Sequence, residues 1–467
     1  MSGSGRIFAE LDVEDLQSRG LAGPPTPDGT RRVHKRRLNR SSDEENAAIP
    51  LSISLQSPAA PTAFSTIPDL LISRATLVYL GFSEQKADAL WAEWSDWPPT
   101  GPRREVDADT GGGLTMTFLF FITGTFSGNR DVWDDDDQQW RDCLDAFGMS
   151  ADVQTAIMDP LFKTLRLTQS CAFWAQDTVE MRYAGLEDIQ RASRERETGL
   201  LRQASRPGSS STSGGPSSQI AQGQRHHERQ RSASGLQCLE TPGVPAENIT
   251  PTSKIAARDA PGYTALYKGV DQARIHGLFD SHGTVAEMER LVSAPPSDFS
   301  RNQQLFYFSP DYKVAQNYAA YAKRRANCEG VVIVQVLVPN SAIEQLNDTE
   351  LVRIDYPDPE WRELIYLSRR GKRHPSHIRK YSLATLIIGT IACKPNGAYH
   401  RMESWEEVDD RCVLRVRGPN GLSNAVQFVF SSSDAGLDFL SDHCAERISV
   451  LPYTRQEFED YVVEEKS

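Results

Sequence analysis

Residues 330–339 read GVVIVQVLVP, an almost continuous apolar run with the length of a buried strand. Four shorter runs of similar character follow it: LIYL at 364–367, TLIIGTIAC at 385–393, CVLRVRG at 412–418 and AVQFVFSS at 425–432. Helical stretches separate these runs, but strands and helices do not alternate regularly. The pattern therefore predicts that residues 258–453 form an α+β domain, with a mixed sheet and peripheral helices.

The clearest helix of this domain is expected to start at Ser309 and Pro310. A serine N-cap followed by proline at the first helical position is a common helix start. The segment DYKVAQNYAAYAKRR at 311–325 continues the helix with one apolar face, made of Val314, Ala315, Tyr318, Ala319 and Ala322.

Composition divides the rest of the chain into four regions. Residues 1–64 are rich in Pro, Ser, Gly and charge, which predicts a disordered tail. Residues 65–197 hold six of the eight tryptophans and are predicted to be a mainly helical domain. Residues 198–257 are predicted to be a flexible Ser/Gly-rich linker, and residues 454–467 an acidic C-terminal tail.

One helix of the tryptophan-rich region has a clear start signal. Apolar residues recur at mainly helical spacing from Leu77 to Trp94, which predicts a helix around 83–94. Ser83 is the expected N-cap of this helix.

Overall composition limits the class of protein. The chain of 467 residues is long enough for two or three domains. Its formal charge of −12 argues against a protein that binds nucleic-acid phosphates over its whole surface. The seven cysteines are odd in number and include no C-x-x-C pair, which is typical of reduced thiols. The most apolar run, at 114–125, is too short to span a bilayer. We therefore expect a soluble intracellular protein with no metal site and no membrane partner.

Two basic segments each allow two interpretations. RRVHKRRLNR at 31–40 is either a solvated part of the tail or a nuclear-import signal, so the protein is expected in the nucleus or the cytoplasm. RGKRHPSHIRK at 370–380 is either a solvated loop or a contact surface for a polyanion such as phosphate or nucleic acid. No aromatic stacking platform accompanies the second segment, so nucleic acid is the less favoured ligand.

Three segments of the C-terminal domain belong together. They are ALYKGV at 265–270, LFYFSPDYKVAQNY at 305–318 and EWRELIYLSRR at 360–370. In this order and at these separations they resemble the three motifs of ADP-ribosyltransferases, one class of which reads His, Tyr, Glu and the other Arg, Ser, Glu. The resemblance covers roughly residues 263–391 and implies an NAD-binding fold, with NAD as a substrate.

The first segment resembles the motif whose His or Arg side chain donates to NAD. Lys268 stands in that place, and Gly269 stands where the family uses a glycine backbone to receive the nicotinamide amide. Lysine keeps the positive charge but lacks the planar fork of arginine. The resemblance therefore implies that Lys268 and Gly269 contact NAD, with a departure from both family classes at Lys268.

The second segment resembles the tyrosine-containing version of its motif. Tyr307-Phe308 opens a strand, and Asn317-Tyr318 follows at the family spacing on a helix. The family sandwiches the nicotinamide ring between two such tyrosines, which implies that Tyr307 and Tyr318 bind NAD. Ser309 stands where the other class has its serine, and its alternative role is to cap the helix.

The third segment resembles the motif that carries the catalytic glutamate at the start of an apolar strand. Glu363 precedes LIYL and stands in that place. In the family this carboxylate bonds the ribose 2′-OH and stabilises the positive charge that develops as the nicotinamide–ribose bond breaks. Trp361 stands where arginine-modifying members carry Glu or Gln, so arginine is a poor candidate for the acceptor.

Two functions stay open on the sequence. The first is an NAD-dependent mono-ADP-ribosyltransferase or NAD glycohydrolase, acting on NAD and a protein acceptor. The second is a catalytically inactive interaction module with the same fold, such as a nuclear adaptor that binds protein partners through its tails or N-terminal region. The enzymatic function predicts that Lys268, Tyr307, Tyr318 and Glu363 converge on one cleft of several hundred Å³.

Overall fold

The computed structural model describes residues 5–98, 100–107, 115–128, 131–204, 261–280, 282–418 and 421–466. Within these ranges the chain mixes α-helices and β-strands, as the sequence pattern predicts. Most of the expected linker at 198–257 lies outside the described residues, although 198–204 continue a long helix. No helix in the described ranges combines the length and apolarity needed to cross a membrane.

The N-terminal part, up to residue 204, is mainly helical. Its helices are α1 (Glu10–Ser18), α2 (Arg40–Glu45), α3 (Ala60–Ala63), α4 (Arg74–Leu80), α5 (Glu84–Ser95), α6 (Phe118–Gly124), α7 (Asp137–Phe147), α8 (Ala151–Ile157), α9 (Lys163–Arg166) and α10 (Cys171–Ala204). Its strands form two pairs: β1 (Thr30–His34) with β2 (Phe64–Pro68), and β3 (Arg103–Arg104) with β4 (Thr115–Met116). The helix predicted around 83–94 is confirmed as α5, and the Ser83 side chain accepts from the amide of Lys86.

The C-terminal part, from residue 261, contains the larger sheets. Its strands are β5 (Tyr263–Asp271), β6 (Val292–Ser293), β7 (Leu305–Phe308), β8 (Val331–Pro339), β9 (Leu351–Ile354), β10 (Leu386–Thr390), β11 (Arg415–Gly418), β12 (Gly421–Asn424), β13 (Val426–Ser431) and β14 (Ile448–Pro452). Its helices are α11 (Tyr312–Arg325), α12 (Asn340–Gln345), α13 (Pro359–Arg369), α14 (Asn396–Arg401), α15 (Asp434–Cys444) and α16 (Arg455–Lys466).

Two sheets face each other in this part. One has the strand order β14–β8–β5, and the other has the order β6–β7–β13–β10–β9, in which only β9 and β10 run parallel. Because strand side chains alternate, every second residue of the central strands points into the layer between the sheets. That layer contains Leu266, Val332, Val334, Val336, Phe306, Phe308, Leu386, Ile388 and Phe430. The strands predicted at 330–339, 385–393 and 425–432 are confirmed as β8, β10 and β13.

Helices cover the outer faces of both sheets. Helix α13 packs Trp361, Leu364 and Ile365 against the outer face of the five-stranded sheet. Helix α11 crosses β5 on the outer face of the three-stranded sheet, where Gly269 leaves room for it. A Cβ atom at Gly269 would lie 2.2 Å from the Ala315 carbonyl oxygen, so the helix could not approach as closely over any other residue.

The prediction of a disordered tail at 1–64 is wrong for the residues that the structure describes. Ile7, Phe8 and Leu16 are buried in the core of the N-terminal part. The first four residues of the basic run at 31–40 lie in β1, and Arg31 forms an ion pair with Asp69 at 2.8 Å. The composition of residues 1–64 is typical of disorder. It does not reveal that the few apolar and charged side chains of this segment are stabilised by partners far along the chain.

The prediction of an acidic tail at 454–467 is also wrong for residues 454–466, which the structure describes. Residues 455–466 form α16, and the Tyr461 ring stacks on Phe162 of the N-terminal part at 6.0 Å. The Tyr461 hydroxyl donates to Asn317 Oδ1 at 3.1 Å. The many acidic residues of this segment form the outer surface of the helix, and its few aromatic residues hold it in place.

The strand predicted at 364–367 is wrong as well, because this segment lies within α13. Asp358 is the N-cap, and its side chain accepts from the amide of Glu360, while Pro359 occupies the first helical position. Buried residues recur at helical spacing along the segment: Trp361, Leu364, Ile365 and Ser368.

The helix start predicted at Ser309 is displaced by two residues. Asp311 is the N-cap of α11, and its side chain accepts from the amide of Lys313. The Ser309 hydroxyl accepts from the Asp311 amide and donates to the Val426 carbonyl oxygen, so it ties the helix start to β13.

Candidate functional site

Lys268, the residue expected to contact NAD, points from β5 into the layer between the two sheets. Its ammonium group donates to the Leu291 carbonyl oxygen at 2.8 Å and to Ser293 Oγ at 2.9 Å. Burial, with a contribution from Arg274, lowers the pKa of Lys268 to about 8. The side chain thus joins β5 to the segment that forms β6.

Tyr307 faces the opposite side of its sheet from that layer. Its ring packs against the apolar residues between α13 and the outer face of the five-stranded sheet, and its hydroxyl donates to Ser297 Oγ at 2.7 Å. Burial raises the pKa of Tyr307, so the phenol stays neutral. Ser309 is also buried. Its hydrogen bonds with Asp311 and Val426 stabilise the start of α11, so its role is structural.

Tyr318 lies half-buried on α11, against Val314, Leu414 and Val416. Burial, with a smaller contribution from the charge of Asp298, raises the pKa of Tyr318 to about 12. Gly269 lies beneath the same helix. A side chain at this position would collide with the helix backbone, so close packing explains the glycine.

Glu363, the expected catalytic carboxylate, lies on α13. Its Oε2 atom is 2.7 Å from Nε2 of His377, which follows in the 3₁₀ helix Ser376–Ser382. This pair ties the helix to the basic segment at 370–380.

A buried ion pair lies near both tyrosines. Asp298 Oδ1 accepts from Arg369 Nε at 2.8 Å, and Asp298 Oδ2 accepts from the Gln427 side chain at 2.8 Å. The charges of Asp298 and Arg369 act on the hydroxyls of Tyr307 and Tyr318. The structure therefore brings the two tyrosines toward one ion pair, but it leaves Lys268 between the sheets and Glu363 on α13. The four side chains do not share one cleft.

A cleft of about 760 Å³ opens elsewhere, on the outer face of the five-stranded sheet. Its walls are the loop at 299–303 and residues of the stretch 373–383, which joins the end of the basic segment to the 3₁₀ helix Ser376–Ser382. Its floor is apolar and consists of Phe299, Leu305, Ala384, Ile387 and Val429. The volume lies in the range of small-molecule sites.

The charged side chains that line this cleft are all positive. Arg301, Arg373 and Arg379 line it, and none of its lining residues is Asp or Glu. All three arginines are exposed, and across the part of the chain that the structure describes none of them forms an ion pair. Guanidinium groups bind phosphate and carboxylate through parallel hydrogen bonds, so the cleft is suited to an anion.

A histidine with two hydroxyl partners forms part of the wall. His374 Nδ1 lies 2.8 Å from Ser382 Oγ, and His374 Nε2 lies 2.9 Å from Ser368 Oγ. Burial, followed by the charge of Arg301, lowers the pKa of His374, so the ring is neutral at pH 7. One ring nitrogen then carries the proton and the other accepts.

The local fold explains this arrangement. Helix α13 ends at Arg369, and Gly371 adopts a positive φ of 65° that reverses the chain. The chain returns over the last turn of α13, so that His374 meets Ser368 of that turn. The 3₁₀ helix ends at Ser382, on the other side of the ring.

The sequence contained one signal for this cleft and lacked another. Contact with an anion is one of the two interpretations that the sequence allows for the basic segment at 370–380, whereas Arg301 and the apolar floor come together only through the sheet topology. Within the described ranges, no group of three His, Cys, Asp or Glu side chains is placed to hold a metal ion.

No family model, curated protein or solved structure gives a match to this chain.

Proposed function

We propose that the C-terminal domain is an ADP-ribosyltransferase-like binding module that holds a small phosphate-bearing organic molecule in the basic cleft. The observation that carries the proposal is a set of three arginines that form no ion pair with any described residue, around a cleft of about 760 Å³ whose lining includes no Asp or Glu. In a chain with a formal charge of −12, such a concentration of positive charge favours an anionic ligand.

The apolar floor narrows the class of ligand. Inorganic phosphate alone would leave this floor in contact with water, whereas an organic phosphate can bury a ring or chain against it. The limited volume favours a small molecule over a nucleic acid. NAD fits the class because it carries two phosphates, and it is the ligand that the three sequence motifs imply.

The same proposal gives the motif segments a role in the fold. Lys268 joins two strands, Gly269 admits α11, Ser309 ties α11 to β13, and Glu363 binds His377. These contacts favour the inactive interaction module over the transferase or glycohydrolase.

Calorimetric titration of the full chain with pyrophosphate, AMP, ADP-ribose and NAD tests the proposal. We expect at least one organic phosphate to bind more tightly than pyrophosphate. Arg373→Ala and Arg379→Ala should each weaken binding about tenfold or more, because each removes a charge-assisted hydrogen bond worth roughly 1.5–3 kcal/mol.

Lys372→Ala is the matched control, since Lys372 is an exposed cation of the same segment that does not line the cleft. It should leave the affinity within about twofold. Absence of binding by all four compounds would overturn the proposal. Release of nicotinamide from NAD that disappears in Glu363→Ala would instead support the transferase or glycohydrolase.

A further inference from the structure

The wall of the cleft contains a serine, a histidine and a second serine in one hydrogen-bonded row. Ser382 is exposed to the cleft, His374 is half-buried behind it, and Ser368 is fully buried behind the histidine. The two contacts, 2.8 Å and 2.9 Å, lie within hydrogen-bond range on opposite nitrogens of the ring.

We propose that Ser382 is a nucleophile activated by His374, that Ser368 is a positioning residue for the imidazole, and that the cleft hydrolyses carboxylic esters with an anionic group. The expectation that the substrate carries an anionic group rests on the proposed function. The assignment of Ser382 as a nucleophile rests only on the geometry of Ser382, His374 and Ser368.

The row has the three parts that an activated serine requires. A serine hydroxyl becomes nucleophilic when a neutral base accepts its proton, and His374 Nδ1 lies within reach of that proton. The base must be held in one tautomer, and an Nε2–H bond to Ser368 Oγ leaves the lone pair of Nδ1 directed at Ser382. Since the lowered pKa of His374 keeps the ring neutral at pH 7, this lone pair is free to accept.

The reaction needs only the ester and water. Ser382 Oγ attacks the carbonyl carbon while its proton moves to His374 Nδ1. The tetrahedral intermediate collapses with cleavage of the ester C–O bond, and His374 returns the proton to the leaving alkoxide. Water then attacks the acyl-serine with the same assistance, which releases the carboxylic acid and restores the serine hydroxyl.

Positive charge near the ring suits the negative charge that develops on the carbonyl oxygen. Arg301 acts on His374 across the cleft, and it has no carboxylate partner among the described residues. A guanidinium group at this place can stabilise the oxyanion or hold the anionic group of the substrate.

A purely structural role for His374, as a tie between α13 and the 3₁₀ helix, makes a different prediction. A structural tie needs no reactive hydroxyl, whereas a nucleophile reacts with serine-directed reagents. An uncharged alkyl fluorophosphonate therefore separates the two roles, because it modifies activated serines and does not depend on anion binding.

The full chain should be incubated with this reagent, followed by intact-mass and peptide analysis. We expect a single adduct on Ser382 that is absent from Ser382→Ala, and a labelling rate at least 100-fold lower in His374→Gln. Ser376→Ala is the matched control, because Ser376 also lines the cleft and has no bond to the histidine. Thermal melting of each variant shows whether it is folded.

The pH dependence of labelling tests the role of the two partners. The rate should rise with pH, with a midpoint below 6.5, as the imidazole loses its proton. Ser368→Ala should move this midpoint as well as lower the rate, whereas a loss of packing alone would lower the rate at an unchanged midpoint.

A pair of chromogenic esters tests the substrate class. The mono-4-nitrophenyl ester of succinate should be hydrolysed with a kcat/KM about tenfold higher than that of 4-nitrophenyl acetate, and Arg379→Ala should remove the difference. Failure of the fluorophosphonate to label Ser382 in the folded wild-type chain would overturn the inference, while organic phosphates could still bind. Labelling of Ser382 without any anion binding would overturn the proposed function and leave the nucleophile in place.

Discussion

Gly269 illustrates how one residue type at one position can serve either a ligand or the fold. Its resemblance to a nicotinamide-binding glycine rests on its neighbours in sequence. In the structure, the backbone of α11 occupies the space that a side chain would need: the Ala315 carbonyl oxygen lies 2.2 Å and the Ala319 nitrogen 2.8 Å from an ideal Cβ. Close packing therefore explains this glycine without a ligand.

Gly269→Ala should consequently destabilise the protein even when no ligand is present. Because the obstructing atoms are backbone, we expect a loss of about 1–3 kcal/mol in the free energy of unfolding, as for other overpacked sites. Urea unfolding followed by circular dichroism measures the loss. Gly124→Ala is the control, since a Cβ there meets nothing within 4 Å and helix propensity should leave stability equal or higher. Equal stabilities for wild type and Gly269→Ala would refute the packing explanation.

Single residues were partly predictable from sequence. Ser83 has a strong local signal, because an N-cap bonds its own helix. Lys268, Glu363 and Asp298 have partners 23, 14 and 71 or more positions away, and spacing along the chain does not reveal such partners.

At the scale of the element, α13 shows how two local patterns compete. LIYL has the composition of a strand, but Asp358 and Pro359 form a helix start, with Asp358 four positions after the end of β9. The buried positions repeat at three and four residues, which a strand cannot place on one face. A four-residue apolar run is too short to decide between the two periods, and the capping residues carry the information.

Asp358→Ala should therefore weaken α13 and the wall that it supports. Loss of an N-cap side chain costs about 1 kcal/mol, so the free energy of unfolding should fall by about that amount. Asp348→Ala provides the comparison, because Asp348 is an exposed aspartate in a nearby turn outside any helix. If both variants unfold at the same urea concentration as the wild type, Asp358 does not stabilise the helix.

At the scale of the whole molecule, the two parts of the chain share one apolar core. The cluster that contains Leu77, Trp140 and Trp174 also contains Tyr321 of α11 and Tyr461 of α16. Composition could locate the tryptophan-rich region and the sheet region, but it carries no information on docking between regions. The same limit explains why the predictions of tails at 1–64 and 454–467 are wrong for residues 5–64 and 455–466, which lack long apolar runs but pack against the rest of the chain.

Tyr461→Ala tests this shared core. The substitution removes the stacking on Phe162, the bond to Asn317 and the contact with the Lys313 ammonium group at 4.6 Å. We expect a loss of about 3–5 kcal/mol, as for other large aromatic residues. Tryptophan fluorescence and circular dichroism should still report one common transition at a lower temperature. Val463→Ala, at an exposed position of the same helix, should change little.

Separate melting of the tryptophan signal and the circular dichroism signal in the wild type would show that the two parts unfold independently, contrary to this expectation.

The carboxylate-free cleft also has a consequence for the rate at which ligands arrive. A cluster of positive charge on an otherwise negative molecule gives the protein a directed field, so that approaching anions are repelled from most of the surface and guided toward one opening. Ionic strength screens this guidance over roughly 8–10 Å, the Debye length at physiological salt. Capture of ligand would therefore be most efficient at low salt, whereas release, which depends on contacts inside the cleft, would respond much less.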